Sequence, residues 1–296
     1  MLHEPVMVDQ VLSALITEHH GLYVDATVGT GGHSEAILNR IIPHGRLLAL
    51  DCDLIALTKA REHLEKYSPY TEFIRSNFSE LPWRLADRGY SAAGVLLDLG
   101  LSSFALEDPA RGLSYRFPDA PLDMRFDMSQ KETAADLLRR WTKDQMTEVF
   151  RSFGEVRSAR RIAQVLIERR QDQPIQKVGD LVEGIRVAVG RSPSPKLLSK
   201  VFQSIRMALQ GDLENLERCL KNLAPHMAPG GRLVVLCYHS LESRCVRQVL
   251  REELDSDGKP VWELVLRKAQ APTQEEVVRN PKSRSARLRV YRKVTE

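Results

Sequence analysis

Four cysteines among 296 residues, Cys52, Cys219, Cys237 and Cys245, are scattered without a Cys-x-x-Cys pair. That disfavours a zinc site and a disulfide framework. No apolar run approaches the roughly 18–20 residues of a bilayer-spanning helix, so no membrane partner is expected. The opening Met1-Leu-His-Glu-Pro5 lacks the design of a signal peptide, and a cytoplasmic protein is expected. There is no internal repeat, and no low-complexity tract beyond a basic C-terminal stretch. A net charge of +4 is too small to name a partner by itself. What remains is an ordinary globular composition, 43% hydrophobic and 28% charged. The length suits about two domains and a large core.

Residues 22–33, Leu-Tyr-Val-Asp-Ala-Thr-Val-Gly-Thr-Gly-Gly-His, organise the rest of the chain. Leu22 to Thr27 reads as a buried parallel strand. It feeds Gly29, Gly31 and Gly32, and then a helical pattern from Ser34 to Ile42. Such a strand, glycine turn and helix start let the backbone approach a ligand closely; an ordinary packed βα turn is the bland alternative. A second strand, Arg46 to Leu50, ends in Asp51, nineteen residues after Gly32. A carboxylate at that distance suits the two hydroxyls of a ribose. The third glycine of a dinucleotide fingerprint is missing, and no Gly-Lys-Ser/Thr marks a P-loop. Asp25, which opens the loop, would repel a pyrophosphate but suits an ammonium. A ribose and an ammonium without a phosphate point to S-adenosylmethionine as cofactor.

Along the chain, a covering helix at 6–17 precedes a regular alternation. Strands at 22–27, 46–51, 70–75 and 92–98 are separated by helices at 33–42, 53–67 and 79–88. This predicts an α/β fold with a doubly wound, mostly parallel sheet. Ligands of such sheets sit outside the carboxyl ends of the strands, so Gly29 to Gly32, Asp51 and Asp98 share one rim. After Ser103 the alternation stops. Residues 104–130 are rich in turns, with Pro109, Gly112, Pro118 and Pro121, and residues 132–209 are helical. The pattern resumes with a helix at 212–227, the turn Pro229-Gly230-Gly231 and a strand from Leu233 to Tyr238. A helix from Ser240 to Glu253 and strands at 261–267 and 286–292 complete it. The expected division is 1–110 and 212–296 for the sheet domain, with 111–211 an inserted helical domain.

Six stretches together resemble one family. They are Asp25-Ala-Thr-Val-Gly-Thr-Gly-Gly-His-Ser34, Leu97-Asp-Leu-Gly-Leu-Ser-Ser103, Arg111-Gly-Leu-Ser114, Pro121-Leu-Asp-Met-Arg125, His239-Ser-Leu-Glu242 and Asn280-Pro-Lys-Ser-Arg-Ser285. In that order they are similar to the RsmH/MraW-type methyltransferases. The resemblance implies a class I S-adenosylmethionine-dependent fold with a helical insert that engages RNA. It implies methyl transfer to N4 of a cytidine in 16S ribosomal RNA of the small subunit. It places cofactor contacts on Gly31, Gly32, His33, Asp51, Phe78 and Asp98. Read physically, Phe78 can lie against the adenine, with a core Phe the alternative. His33 can donate to the methionine carboxylate, with a helix-capping or surface His the alternative. Asp98 can hold the methionine ammonium or accept from the cytosine amine. Two departures stand out: Ala105 occupies the place of a family glutamine, and Lys196-Leu-Leu-Ser-Lys200 replaces a family His-Pro-Ala-Thr-Arg.

The exocyclic amine of cytosine is a weak nucleophile because its lone pair is delocalised into the ring. A carboxylate accepting from its N–H would localise that pair. Asp98 is the expected acceptor and Asp123 the alternative, with positioning supplying most of the acceleration and no metal required. Arginines and lysines crowd the last segment (Arg279, Lys282, Arg284, Arg287, Arg289, Arg292, Lys293) and the insert (Arg139, Arg140, Arg157, Arg160, Arg161, Arg169, Arg170). Such clusters suit a phosphate backbone. A dehydrogenase, a non-catalytic RNA-binding assembly factor on the same scaffold, and a methyltransferase for another RNA are the competing expectations.

Overall fold

The computed structural model describes residues 4–101 and 103–294, with Ser103 described through its backbone alone. Ser102, part of the Leu97–Ser103 stretch, lies outside the described residues. Helix α1 (Val8–Leu15) buries Val11, Leu12 and Leu15 on one face. Then follow β1 (Gly21–Asp25), α2 (Gly32–Ile41), β2 (Gly45–Asp51), α3 (Leu54–His63), β3 (Thr71–Arg75), α4 (Leu81–Arg88) and β4 (Ala92–Asp98). The middle of the chain holds α5 (Ser103–Glu107), α6 (Ala134–Arg140), α7 (Lys143–Ser152), α8 (Ala159–Asp172), α9 (Val178–Val189) and α10 (Pro195–Gln210). It ends with α11 (Asp212–Leu223), β5 (Met227–Cys237), α12 (Ser240–Glu252), β6 (Trp262–Leu264), α13 (Gln274–Arg279) and β7 (Arg287–Lys293).

The seven strands form one sheet in the order β3-β2-β1-β4-β5-β7-β6. β1 to β5 pair in parallel, and β7 runs antiparallel to both of its neighbours. This is the doubly wound class I sheet that the resemblance implies. Residues of alternate parity face opposite sides, as the two-residue strand period requires. Val24, Leu48, Leu50, Val95, Leu97, Leu233 and Val235 join one buried cluster with Leu85, Leu220 and Val246. Tyr23, Leu47, Ala49, Leu96, Val234 and Leu236 join the other with Val11, Ile37 and Leu57. Helices therefore cover both faces, which is why these strands read as continuous apolar runs. The strand order reverses between β1 and β4, so the loops that follow these two strands flank the topological switch point.

Two compact units emerge, Met1–Gly100 with Leu213–Glu296, and Leu101–Asp212. The second unit begins earlier than the boundary after residue 110 that the sequence suggests. The reason is that Ala105 and Leu113 sit in the core of the helical unit with Phe150, Ile162, Leu166 and Ile205. Three of its helices start on side-chain caps: Thr133 and Thr142 close capping boxes, and Ser194 caps α10 just before Pro195. Three other local expectations change. The Pro229-Gly230-Gly231 turn is a bulge inside β5, where the pairing jumps from Ala92↔Met227 to Gly94↔Arg232. The helix expected over 53–67 ends at His63 and gives way to a 3-10 turn over Glu65–Tyr70. The strand expected over 261–267 narrows to Trp262–Leu264.

Candidate active site

β1 ends at Asp25, and the N–H groups of Ala26 and Val28 go on to bond the carbonyls of Leu96 and Leu50. The loop that follows turns through Gly29 and Gly31, whose φ angles of 53° and 91° are left-handed. Gly31 is the N-cap of α2 and offers no side-chain cap. The first-turn N–H groups of Gly32 and His33 therefore have no partner within the helix. His63 supports the loop from behind: its Nδ1 lies 2.8 Å from the Thr30 carbonyl and its Nε2 3.0 Å from Glu35.

Asp51 stands at the carboxyl end of β2 and accepts one backbone N–H on each oxygen, from Gly29 and from Asp53, both at 2.9 Å. Burial lifts its pKa to about 6, against the lowering effect of those two N–H groups. Its oxygens keep lone pairs for two further donors, which is what a ribose diol offers. Phe78 follows β3 on a short 3-10 turn capped by the Asn77 side chain, half-buried against the sheet core. Asp25 supports the loop from beneath instead of meeting a ligand. It is 1% exposed and accepts the Ser34 hydroxyl at 2.7 Å and the Thr27 N–H at 3.3 Å. Burial raises its pKa, with His33 the main opposing influence.

Asp98 ends β4 with its side chain 20% exposed. Its N–H donates to Thr27 Oγ1 at 2.8 Å, which ties β4 to the glycine loop. Its carboxylate accepts the Gly100 N–H at 3.3 Å and the Tyr238 hydroxyl, and His33 Nδ1 stands 3.6 Å from Oδ2. Tyr238 is pressed so closely on Gly100 that a Cβ there would lie 2.8 Å from its ring. Burial, then the charge of Asp98, raises the Tyr238 pKa far above the phenol range, so its hydroxyl is a permanent donor. The His239–Glu242 stretch is a capping box at the start of α12. Its Glu242 also accepts the Tyr238 N–H at 2.8 Å and so holds Tyr238 at the rim.

The His33 imidazole is buried, with Nε2 2.9 Å from the Val6 carbonyl. That segment is held by the other end of the chain. Glu276 accepts the Met7 N–H at 2.6 Å, Asn280 donates to the Glu4 carbonyl at 3.3 Å, and Arg279 pairs with Glu4. The Asn280–Ser285 stretch thus acts on the site through residues 4–7. Neither these links nor the part played by Tyr238 is apparent from the sequence. The position of Tyr238 directly after the β5 strand, on the same rim as Asp98, was the one available signal.

Within the helical unit, Asp123 forms a two-bond ion pair with Arg125, at 2.8 and 2.7 Å. The Arg111–Ser114 and Pro121–Arg125 stretches are one packed feature. The Met124 N–H bonds the Arg111 carbonyl, and Gly112 lies against the Pro121 carbonyl. Ala105 is 2% exposed in the core of this unit, where an alanine packs without a polar end to satisfy.

The model of the MraW methylase family matches residues 1–294. The ribosomal RNA small subunit methyltransferase H of Chromohalobacter salexigens is 39% identical, over 99% of this chain and 92% of its own. The protein of the same name from Syntrophobacter fumaroxidans is 38% identical, over 98% of this chain and 96% of its own. That of Thermomicrobium roseum is 39% identical, over 99% and 94%. With the family model matching residues 1–294 and these relatives aligned along nearly all of the chain, this protein belongs to the MraW methylase family.

Proposed function

We infer that this protein transfers a methyl group from S-adenosylmethionine to N4 of a cytidine in 16S ribosomal RNA of the small subunit, in the cytoplasm. The observation that carries the reading is Asp98, a partly exposed carboxylate at the switch point. Its orientation is set by the Gly100 N–H and the Tyr238 hydroxyl. The cofactor fits the residues present. Asp51 takes the ribose hydroxyls, Phe78 lies against the adenine, and Gly29 to Gly32 let the backbone come close. The first-turn N–H groups of Gly32 and His33 receive the methionine carboxylate. Among the described residues no helix is long and apolar enough to cross a membrane.

S-adenosylmethionine, when bound, supplies the electrophilic methyl group. The chain supplies alignment and a place for a proton. Asp98 accepts an N–H of the cytosine amine, concentrates the nitrogen lone pair toward the methyl, and takes the proton released after transfer. Asp123 is the weaker acceptor because Arg125 occupies both of its oxygens. The base reaches this rim unstacked. Exposed Arg284 and Arg287 line the same edge, since Arg287 pairs with Cys237 at the end of β5. Exposed Arg157, Arg160 and Arg161 on the helical unit add phosphate contacts, whereas Arg170 is committed to the Leu138 and Trp141 carbonyls. The test is incubation with labelled S-adenosylmethionine and unmodified small subunits, followed by digestion of the RNA to nucleosides. Label in N4-methylcytidine supports the reading, and label elsewhere or none overturns it.

A further inference from the structure

We propose that His33 is the second proton acceptor of the transfer site, working through Asp98, with its tautomer set by a clasp between the two ends of the chain; this rests on the methyl-transfer reading above. The Val6 carbonyl can only accept, so the Nε2 atom 2.9 Å away carries the ring proton of the neutral imidazole. Nδ1 is then a bare lone pair, and it faces Asp98 Oδ2 at 3.6 Å. Two acceptors facing each other at that distance share no hydrogen bond, but a proton arriving on either one draws them together into one.

Methyl transfer delivers that proton. When the new N–C bond forms and the S–C bond breaks, N4 carries one hydrogen and one positive charge too many. An N–H bond then breaks, its electron pair stays on nitrogen, and Oδ2 of Asp98 takes the proton. The O–H bond breaks in turn as Nδ1–H forms, leaving an imidazolium that donates to Asp98 and to Val6. Asp25 of β1 and Asp98 of β4 are the acidic groups facing the ring. Cys237 and Tyr238 of β5 are the other titratable groups near Asp98; burial raises both, so they stay protonated.

The clasp keeps the ring in this state. Buried Glu276 on α13 holds the N–H of Met7, itself buried in a left-handed conformation with φ 55° that a methionine rarely adopts. Asn280 holds the Glu4 carbonyl, and Pro5 lies against Gly32. Glu276 and Asn280 are positioning residues: they fix Val6, and Val6 fixes His33.

The experiment has two arms. Nitrogen-15 NMR of histidine-labelled protein, with the His33 signals assigned by their loss in His33→Gln, reads the tautomer without any activity. The proposal requires Nε2–H in the wild type and a mixture of tautomers in Glu276→Ala; a protonated Nδ1 in the neutral wild-type ring overturns it. Single-turnover transfer on small subunits, with saturating cofactor and over a range of pH, reads the relay. The wild type loses rate on the acid side as Nδ1 becomes occupied. His33→Gln transfers at least tenfold more slowly, binds cofactor within a few-fold of wild type and has a displaced acid limb, because Asp98 must still be ionised to take the proton. His33→Gln at the wild-type rate, or with the acid limb undisplaced, overturns the relay. If His33→Gln does not fold, Glu276→Ala must show a displaced limb and a lower kcat, and an unchanged profile there overturns the clasp. A wild type that transfers nothing refutes the methyl-transfer reading instead, while the tautomer measurement still decides the assignment of His33.

Discussion

Gly100→Ala adds one methyl group at the most crowded point of the rim. The new Cβ would lie 2.8 Å from Tyr238 Cε2, 3.0 Å from Cζ and 3.2 Å from Asp98 Oδ1. Carbon atoms rest comfortably at about 3.5–4.0 Å, so ring and loop must separate by roughly 0.7 Å or more. Overpacking of this kind costs about 1–3 kcal/mol. In a chain of this size that lowers the melting temperature by roughly 2–5 °C. The larger effect falls on chemistry, because catalytic groups tolerate only about 0.5 Å of displacement and a 1 Å error can cost about a hundredfold. Single-turnover methyl transfer is therefore expected to fall roughly 30- to 100-fold. Tyr238→Leu in the Gly100→Ala background relieves the clash and recovers stability, but not rate, since Asp98 has then lost its hydroxyl donor. A double-mutant cycle in stability should show coupling of about 1 kcal/mol or more. Gly100→Ala with wild-type melting and wild-type turnover would refute the close-packed arrangement of Gly100, Tyr238 and Asp98.

Asp51, lifted by burial to about 6, ties two properties to pH. Its ionised form accepts the ribose hydroxyls, so cofactor affinity falls as pH drops through about 6, and Asp51→Asn binds more weakly at pH 8 without that dependence, as calorimetric titration will show. Because the folded value lies above the usual 3.8, protonation stabilises the unliganded fold below about pH 4. That stabilisation, up to about 3 kcal/mol, is lost as pH rises to 6, and thermal melts of unliganded Asp51→Asn, which cannot titrate at this position, should lack this part of the wild-type pH dependence. Gly112→Ala places a Cβ 2.0 Å from the Pro121 carbonyl at a φ of 60°; about 3 kcal/mol or more of destabilisation is expected in thermal melts, with loss of the helical unit's signal first. Arg284→Ala combined with Arg287→Ala should weaken binding to small-subunit RNA and reduce the slope of log affinity against log salt by about 1 to 2.

Local features were legible in the sequence because they are written in short-range chemistry. The glycine loop, Asp51 and Asp98 announce themselves through strand period and spacing, and all three sit at the carboxyl ends of β1, β2 and β4 as expected. The links that orient them are not local. Met7 and Glu276 are 269 residues apart in sequence, and only the sheet brings them together. His33 reads as a donor to the cofactor, and nothing in the sequence reveals that its Nε2 faces the Val6 carbonyl. The Pro229-Gly230-Gly231 stretch carries every mark of a turn, yet pairing on both sides absorbs it as a bulge in β5. Ala105, conspicuous against a family glutamine, turns out to be a core residue of the helical unit.

The most direct measurement is single-turnover methyl transfer by Asp98→Asn on unmodified small subunits, with saturating labelled S-adenosylmethionine. An asparagine keeps the shape of the site but is a far poorer proton acceptor than the carboxylate. The rate should fall by about 10²- to 10⁴-fold, while cofactor affinity changes by less than about tenfold. Transfer to N4 of cytidine at the wild-type rate by Asp98→Asn would contradict the account.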